Sequence, residues 1–383
     1  MKPIFLAPIL FTMGLSLLAA IPAQAAGMSK VELGKQLYFD TNLSKNGTQA
    51  CATCHDPEHG FADVRPNDAD GAVSLGDDGT SLGDRNAPTA SYASITPPFS
   101  LGKDGKYRGG QFHDGRASSL ADQAAGPPLN PIEMGMATKA DVVARIQEND
   151  DYVQAFKTHF GDDIFADADK AYGAMAESIA EFEKTEFFAP FDSKYDRYVR
   201  GEYKMTKAEQ LGMTLFFSNQ FTNCNRCHQL KKFPESEGET FANYEYHNIG
   251  VPVNAKVRAL NGLGENHVDE GLLANPDVTD EKQRGKFKTI TLRNVAVTGP
   301  YMHNGVFQDL ETVVRFYNKY NSKAPKSQIN PETGEPWGPP EVAETISLED
   351  LQVGDALDEQ RIKALMAFMK TLTDKRYEHL LED

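Results

Sequence analysis

The four cysteines of this 383-residue chain fall into two Cys-x-x-Cys-His strings, one in each half of the sequence. The strings are Cys51-Ala-Thr-Cys54-His55 and Cys224-Asn-Arg-Cys227-His228. Two thiols at this spacing can bond both vinyl groups of one porphyrin, and the adjacent histidine then lies under the iron as its proximal ligand. We therefore predict two covalently attached c-type haems, with His55 and His228 as iron ligands.

Two other uses of paired cysteines fit the pattern less well. A thioredoxin-like redox pair needs a βαβ context, and the sequence around neither pair has one. A four-cysteine zinc site normally draws its two pairs from nearby knuckles, whereas these pairs lie in opposite halves of the chain. Four cysteines are also too few for a disulfide scaffold in a chain of this length.

The composition is that of a folded, acidic protein. Hydrophobic residues make up 40% of the chain and charged residues 25%, and the formal net charge is -16. A surface with this charge repels nucleic acid and anionic lipid and favours basic protein partners. We therefore expect no nucleic-acid partner.

The first 25 residues have the pattern of a secretory signal peptide. Lys2 precedes an apolar run, Ile4 to Ile21, and the segment ends in Ala23-Gln-Ala25, which predicts cleavage after Ala25. An uncleaved membrane anchor is the alternative, because the run nearly reaches spanning length. No later segment is apolar enough to span a membrane, so we expect an exported, periplasmic protein without a stable membrane span.

The chain repeats one plan. Each half opens with a capping-box pattern and a Leu-Gly-x-x-Leu helix whose leucines share one face, then reaches its cysteine motif and closes on an amphipathic helix. The opening residues are Ser29, Glu32, Leu33 and Leu37 in the first half and Thr206, Glu209, Leu211 and Leu215 in the second. The closing helices are predicted over 170–185 and 359–372. The prediction is a mostly α fold with few or no strands, built from a signal peptide (1–25) and two tandem cytochrome c-type domains (26–200 and 201–383).

Three further motifs accompany the two haem strings. They are Phe112-His-Asp-Gly-Arg116, Asn130-Pro-Ile-Glu-Met134, and Thr289-x-Thr-Leu-Arg-Asn294 followed by Gly299-Pro-Tyr-Met-His303. In combination they resemble the bacterial di-haem cytochrome c peroxidase/MauG family over nearly the whole chain that follows the signal peptide. The resemblance implies an N-terminal haem that reacts with peroxide and a C-terminal haem that holds electrons or oxidising equivalents.

The resemblance also implies a catalytic pocket at the first haem, formed by Gln123, Pro127 and Glu133. Heterolytic cleavage of the O–O bond needs a proton moved from the near oxygen to the leaving oxygen, which a carboxylate beside an amide can do. Pro127 offers no ligand and leaves the sixth iron position open. The alternative for Glu133 is an ordinary helix-start carboxylate after Pro131.

The second haem has two candidates for its other axial ligand. Met302 would raise the reduction potential, as in cytochromes c. Counted from the Pro-Tyr-x-His element, however, the family's Met-ligand position falls on Tyr317, and MauG-type members are similar in carrying a tyrosine there. We predict Tyr317 as the ligand, with Met302 as a haem-packing residue and His303 as a pocket or inter-haem residue. The alternative for Tyr317 is a core aromatic beside Phe316.

The family resemblance further implies a calcium ion between the domains, held by Asn86, Thr298 and Pro300. Oxygen donors suit such a hard cation. The alternative is that Asn86 only caps a turn before Pro88.

The chain departs from the family pattern at several positions. His113 stands where family members usually have a tryptophan between the haems; it is either a weaker or proton-linked relay, or a buried histidine bonded to Asp114 or a haem propionate. Thr222 stands where MauG-type members carry a surface tryptophan, and Trp337, in a Pro/Gly-rich loop, is the only tryptophan of the chain. His59 is a possible counterpart of the removable distal histidine of the Met-ligated peroxidases.

We favour a periplasmic di-haem peroxidase that reduces H₂O₂ at the first haem, with a small redox protein such as a cytochrome c or a cupredoxin as donor. One alternative is a MauG-like maturase that uses peroxide to oxidise residues of a protein substrate. The other is a di-haem electron carrier without catalytic activity, in which both irons would be capped on both faces.

Overall fold

The computed structural model describes residues 27–230, 237–264 and 266–381, so the predicted signal peptide at 1–25 lies outside the described residues. Within these ranges the chain is mostly helical. The α-helices are α1 (Lys30–Phe39), α2 (Cys51–Cys54), α3 (Leu120–Ala124), α4 (Lys139–Ile146), α5 (Asp150–Phe160), α6 (Ala168–Glu183), α7 (Lys194–Val199), α8 (Lys207–Phe216), α9 (Ala255–Leu260), α10 (Leu310–Asn318), α11 (Leu348–Leu351) and α12 (Glu359–Lys370). None of the helices within the described residues has the length and apolar character needed to cross a bilayer.

The strands are two residues long and form two antiparallel pairs. The strands are β1 (Ser100–Leu101), β2 (Tyr107–Arg108), β3 (Tyr246–His247) and β4 (Phe287–Lys288). In the first pair Ser100 lies opposite Arg108, and in the second Tyr246 lies opposite Lys288. The prediction of a mostly α fold with few strands is confirmed.

The first hydrophobic core is built on the contact between the opening helix α1 and the closing helix α6. Leu33 and Leu37 are fully buried in it. Gly34 allows the two helix backbones to meet, since a Cβ added to it would lie 1.8 Å from the Ser178 carbonyl oxygen. Any side chain at position 34 would therefore force α1 and α6 apart.

The second core repeats this arrangement with α8 and α12. A Cβ on Gly212 would lie 1.9 Å from the Ala364 carbonyl oxygen, and Leu215 is buried. The sequence places Leu211 one helical turn before Leu215 on the same side of α8, and Leu211 is 37% exposed. The contact face of α8 runs through Gly212, Leu215 and Phe216 instead.

The two helix starts are capped to different extents. Thr206 and Glu209 form the complete capping box, with each side chain accepting from the other residue's backbone N–H. Ser29 accepts from the Glu32 N–H, and the Glu32 side chain instead accepts from Gln36 in the next turn. The sequence pattern thus located both helix starts.

Polar contacts between distant segments join the two halves. Arg293 is fully buried, and its guanidinium donates to both oxygens of Asp196, at 2.5 and 2.8 Å. Tyr92 from the first half donates to Asp374 at 2.5 Å, and Asn294 donates to the same carboxyl group at 2.9 Å. Buried ionic contacts of this kind fix the geometry of the halves, because a partner left unpaired in the interior carries a large penalty.

Candidate active site and haem sites

A cavity in the first half gathers the first Cys-x-x-Cys-His motif and the predicted catalytic residues. Its lining includes Cys51, Cys54, His55, Gln123, Pro127 and Glu133. The motif residues come from α2, Gln123 comes from α3, and Pro127 and Glu133 follow in the turns after α3. The chain therefore brings residues from separate elements to one cavity.

A second cavity gathers the other motif and the two candidate axial ligands. Its lining includes Cys224, Cys227, His228, Met302, His303 and Tyr317. Tyr317 lies near the end of α10, whereas Met302 sits in a loop with a φ of 72°. Both residues reach the cavity, so cavity lining alone does not choose between them.

The two motif histidines have the chemistry that an iron ligand needs. The Nδ1 of His228 donates to the Phe241 carbonyl oxygen at 2.9 Å, and the Nδ1 of His55 faces the Phe61 carbonyl oxygen at 3.4 Å. Burial lowers the pKa of His228 to about 4 and also lowers that of His55. Both imidazoles are therefore neutral, and Nε2 keeps its lone pair for a metal. The donor set fits a haem iron in each cavity.

The cysteines have no disulfide partner. All four thiols within the two motifs are free, and burial raises the pKa of Cys54 to about 12 and that of Cys224 to about 11. The two cysteine pairs line different cavities, each with its own histidine, which fits one porphyrin in each cavity and does not fit a shared four-cysteine zinc site.

Glu133 is oriented by a hydrogen bond, and its pKa is shifted by its surroundings. Asn130 donates to its Oε1 at 2.8 Å. Burial raises the pKa of Glu133, while the nearby charge of Arg116 and the Asn130 hydrogen bond oppose that rise. A carboxyl group with a raised pKa inside a cavity is suited to a role in proton transfer.

Tyr317 lies deep in the second cavity. Burial is the main cause that raises the pKa of its phenol well above the ordinary value, and the neighbouring Cys227 and Cys224 contribute. A phenol in this setting gives up its proton only when a cation binds its oxygen. This is the behaviour expected of an iron ligand, although a buried core tyrosine has the same surroundings.

One stretch of backbone separates the two cavities. Residues 86–89 and His113 line both of them, and we call this group the shared wall. The Nε2 of His113 donates to the Asn86 carbonyl oxygen at 3.0 Å, and burial lowers the pKa of His113 to about 4. His113 is therefore a neutral residue that donates one hydrogen bond from its ring, as an indole would. It is not bonded to Asp114, one of the two partners considered from the sequence.

Charged residues fix the shared wall from both halves. Arg85 donates to Asp114 at 2.6 Å and to both oxygens of Asp269 at 2.6 Å. His303 stacks on Phe287 with ring centroids 3.6 Å apart. Burial lowers the pKa of His303 to about 3, so this residue is also neutral.

The residues predicted to hold calcium meet at the second cavity. Asn86, Thr298 and Pro300 all line it. The Asn86 Nδ2 donates to the Ala72 carbonyl oxygen, which leaves Oδ1 as the atom a cation would bind. Among the described residues no cluster of three or more His, Cys, Asp or Glu side chains could hold a metal ion, so this site would depend on amide and carbonyl oxygens.

Of three other residues singled out from the sequence, Thr222 lines the second cavity, and His59 and Trp337 line neither cavity. His59 does not line the first cavity; its Nδ1 lies 2.7 Å from Asp56, and its side chain is 41% exposed. Thr222 is buried, and its hydroxyl donates to the Leu215 carbonyl oxygen at 2.7 Å. Trp337 packs against Phe316 and Phe307 in the second half.

The titratable residues that line the cavities and were not singled out from the sequence include Glu183 and Lys288. Glu183 lines the first cavity with one carboxylate oxygen lacking a hydrogen-bond partner, and burial raises its pKa to about 8. Lys288 lines the second cavity, and burial lowers its pKa to about 7. The available signal for Glu183 was a carboxylate one helical turn after Ile179, on the apolar face of the predicted closing helix.

Comparison with known proteins places these cavities in a family. A family model described as di-haem cytochrome c peroxidase matches residues 28–204. The chain is similar to the methylamine utilization protein MauG of Paracoccus denitrificans, with 53% identity over 94% of this chain and 92% of that protein. It is 31% identical to the cytochrome c peroxidase Ccp of Escherichia coli over 76% of this chain and 53% of that protein.

A solved structure agrees with the sequence comparisons. The diheme peroxidase BthA from Burkholderia thailandensis matches with a TM-score of 0.80 and 30% identity, covering 92% of this chain and 88% of that one. A MauG-like protein associated with microbial copper homeostasis matches with a TM-score of 0.65 and 30% identity, covering 91% of each chain. This chain belongs to the di-haem cytochrome c peroxidase/MauG family, and it is a peroxide-dependent oxidoreductase with two c-type haems.

Proposed function

We propose that this protein is a MauG-type enzyme that uses peroxide to oxidise side chains of a partner protein. The observation that carries the proposal is Tyr317, which shares the second cavity with His228 at the position where Met-ligated peroxidases have their thioether. A hard phenolate donor favours ferric and higher iron, which suits storage of oxidising equivalents rather than rapid electron delivery. The 53% identity to MauG over nearly the full chain also favours this function over that of a peroxidase. The sequence alone had favoured the peroxidase, with the maturase as an alternative.

The haems, when bound, supply the iron that takes up peroxide and the capacity to store two oxidising equivalents. Glu133 accepts the proton of the near peroxide oxygen and returns it to the leaving oxygen. Gln123 is the amide beside it that donates a hydrogen bond to the developing charge. Pro127 presents no donor atom, so this face stays open to substrate. In sum, one H₂O₂, two electrons and two protons give two waters, and the electrons come from the partner's side chains.

The remaining residues of the proposal hold the centres in place. His55 and His228 are the proximal ligands, and each is oriented by a backbone carbonyl oxygen. The shared wall carries His113 between the centres. Asn86, Thr298 and Pro300 hold a calcium ion at the second cavity. We place the protein in the periplasm, after removal of residues 1–25.

A second candidate is a peroxidase with a small redox protein as donor. Two departures favour it: Thr222 is buried where MauG-type members carry a surface tryptophan, and His113, a side chain harder to oxidise than indole, stands between the cavities. Both positions weaken the transfer of oxidising equivalents through aromatic side chains toward a bound protein.

The test mixes the ferric holoprotein with one equivalent of H₂O₂ and follows the Soret band and the EPR spectrum, then adds reduced horse cytochrome c. For the maturase we expect an oxidised state that persists in the presence of reduced cytochrome c, together with peroxide-dependent mass changes in a co-purifying partner. Continuous oxidation of cytochrome c without such mass changes would favour the second candidate. An unchanged Soret band after peroxide would exclude both.

A further inference from the structure

The single tryptophan of the chain lies two aromatic contacts from the second cavity. Phe316 and Tyr317 are neighbours on α10, with ring centroids 6.2 Å apart. The Phe316 ring also contacts Trp337, with centroids 5.3 Å apart and ring planes at 81°. Tyr317, Phe316 and Trp337 therefore form a continuous aromatic row that begins at the cavity.

The far end of this row reaches the surface. Trp337 is partly exposed and follows a turn, residues 330–336, in which most residues are exposed. The turn is held by two backbone hydrogen bonds: the Asn330 N–H donates to the Glu335 carbonyl oxygen, and the Gly334 N–H donates to the Asn330 carbonyl oxygen. The indole N–H of Trp337 donates to the Ser327 carbonyl oxygen at 2.9 Å, which fixes the orientation of its ring.

We propose that Trp337 is the residue through which electrons of a partner protein enter the second haem centre, with Phe316 as the bridge to Tyr317. The proposal rests on the proposed function, because it concerns electrons taken from side chains of a partner protein, which reach the enzyme at its surface. It assigns the partner's contact region to the surface around the 330–336 turn.

The chemistry of the three rings sets their roles. Indole is far more readily oxidised than a phenyl ring, so a positive hole rests on Trp337 rather than on Phe316. Lys319 lies with its Nζ 3.7 Å from the centroid of the Phe316 ring, and this cation makes oxidation of Phe316 still less favourable. Phe316 therefore conducts without being oxidised itself.

The hydrogen bond of Trp337 determines the form of the oxidised residue. The Ser327 carbonyl oxygen accepts a hydrogen bond but is too weak a base to take the proton. Trp337 therefore loses one electron and keeps its N–H. It is restored when one electron arrives from an electron-rich aromatic side chain, a phenol or an indole, of the partner. Two such passages supply the two electrons that one H₂O₂ consumes.

The experiment locates the hole without a partner protein. The ferric holoprotein is treated with one equivalent of H₂O₂ in the presence of the spin trap 2-methyl-2-nitrosopropane, digested, and analysed by mass spectrometry for the adduct. The variants are W337F, F316L and F307L. Phe307 is a matched control, because its ring also packs on Trp337, at 5.6 Å, but it is not the sequence neighbour of Tyr317.

We expect the adduct on Trp337 in the wild type, its loss in W337F, and a lower yield in F316L than in F307L at equal loss of peroxide. Thermal unfolding of each variant shows whether the fold is retained. Adducts only at other residues, or equal yields in F316L and F307L, would overturn the relay while leaving the proposed function intact. An unchanged Soret band would instead contradict the proposed function itself.

Discussion

Glu183 offers the most direct physical test of the first cavity. The residue ends α6, is 5% exposed, and has a carboxylate oxygen without a hydrogen-bond partner. The titratable groups that face it are Tyr38 on α1 and Cys51 on α2; burial is the first cause of the raised pKa of each, and the charge of Glu183 raises both further. A carboxyl group in these surroundings stays protonated at neutral pH.

The expected effect on stability follows from the pKa of Glu183, which burial raises from 4.5 to about 8. Below pH 4.5 the group is protonated in both the folded and the unfolded chain, so its titration does not change the free energy of unfolding there. As the pH rises to about 8, the unfolded chain loses this proton while the folded chain keeps it. The free energy of unfolding therefore falls across this window, by up to about 5 kcal/mol at 1.36 kcal/mol per pKa unit.

The change to make is Glu183→Gln, which keeps the size of the side chain and removes its titration. Denaturant unfolding of the wild-type and variant holoproteins at pH 5, 6.5 and 8 gives the two pH profiles. The stability of E183Q relative to the wild type should rise steadily between pH 5 and pH 8. The control is E186Q, which removes an exposed carboxylate from the same region and should follow the wild type. Parallel profiles for E183Q and the wild type would refute the reasoning.

Three further predictions concern the site and the joint between the halves. Glu133→Gln should slow the reaction with peroxide by about 10²- to 10⁴-fold, measured by stopped-flow absorbance, because it removes the group that moves the proton; an unchanged rate would exclude this role. Tyr317→Met should raise the reduction potential of the second haem in a redox titration, since a thioether replaces a phenolate; Tyr320→Phe should leave that potential unchanged. Arg293→Met should lower the free energy of unfolding by about 3–5 kcal/mol, because Asp196 is left buried and unpaired; a loss as small as that of an exposed arginine would contradict this account.

The fold was largely predictable because its determinants are local. The caps at Ser29 and Thr206 and the apolar faces of α6 and α12 depend on neighbours three or four residues apart, so spacing alone reveals them. The close helix contacts at Gly34 and Gly212 could not be predicted from local spacing. They depend on two segments that meet in space but lie far apart in the sequence.

The site residues that belong to a motif with a known chemical role could be predicted from the sequence. The Cys-x-x-Cys-His strings have a chemical meaning of their own, whereas Glu133 and Tyr317 came only from the family resemblance. Lys288 belongs to no motif that would mark it as buried, and the signal for Glu183 was only its place on the apolar face of the closing helix. Their roles depend on what surrounds them in the folded chain, and so does the contact between Phe316 and Trp337.

The shared wall has a consequence for the evolution and engineering of this protein. The segment 86–89 and His113 belong in sequence to the first half, yet they also form one side of the second cavity. Neither half can therefore be replaced by the corresponding half of a relative without regard to the other half. A chimera joined near residue 200 would take the shared wall from one parent and the facing residues of the second cavity from the other. Only parents with similar residues in the shared wall should give an active chimera.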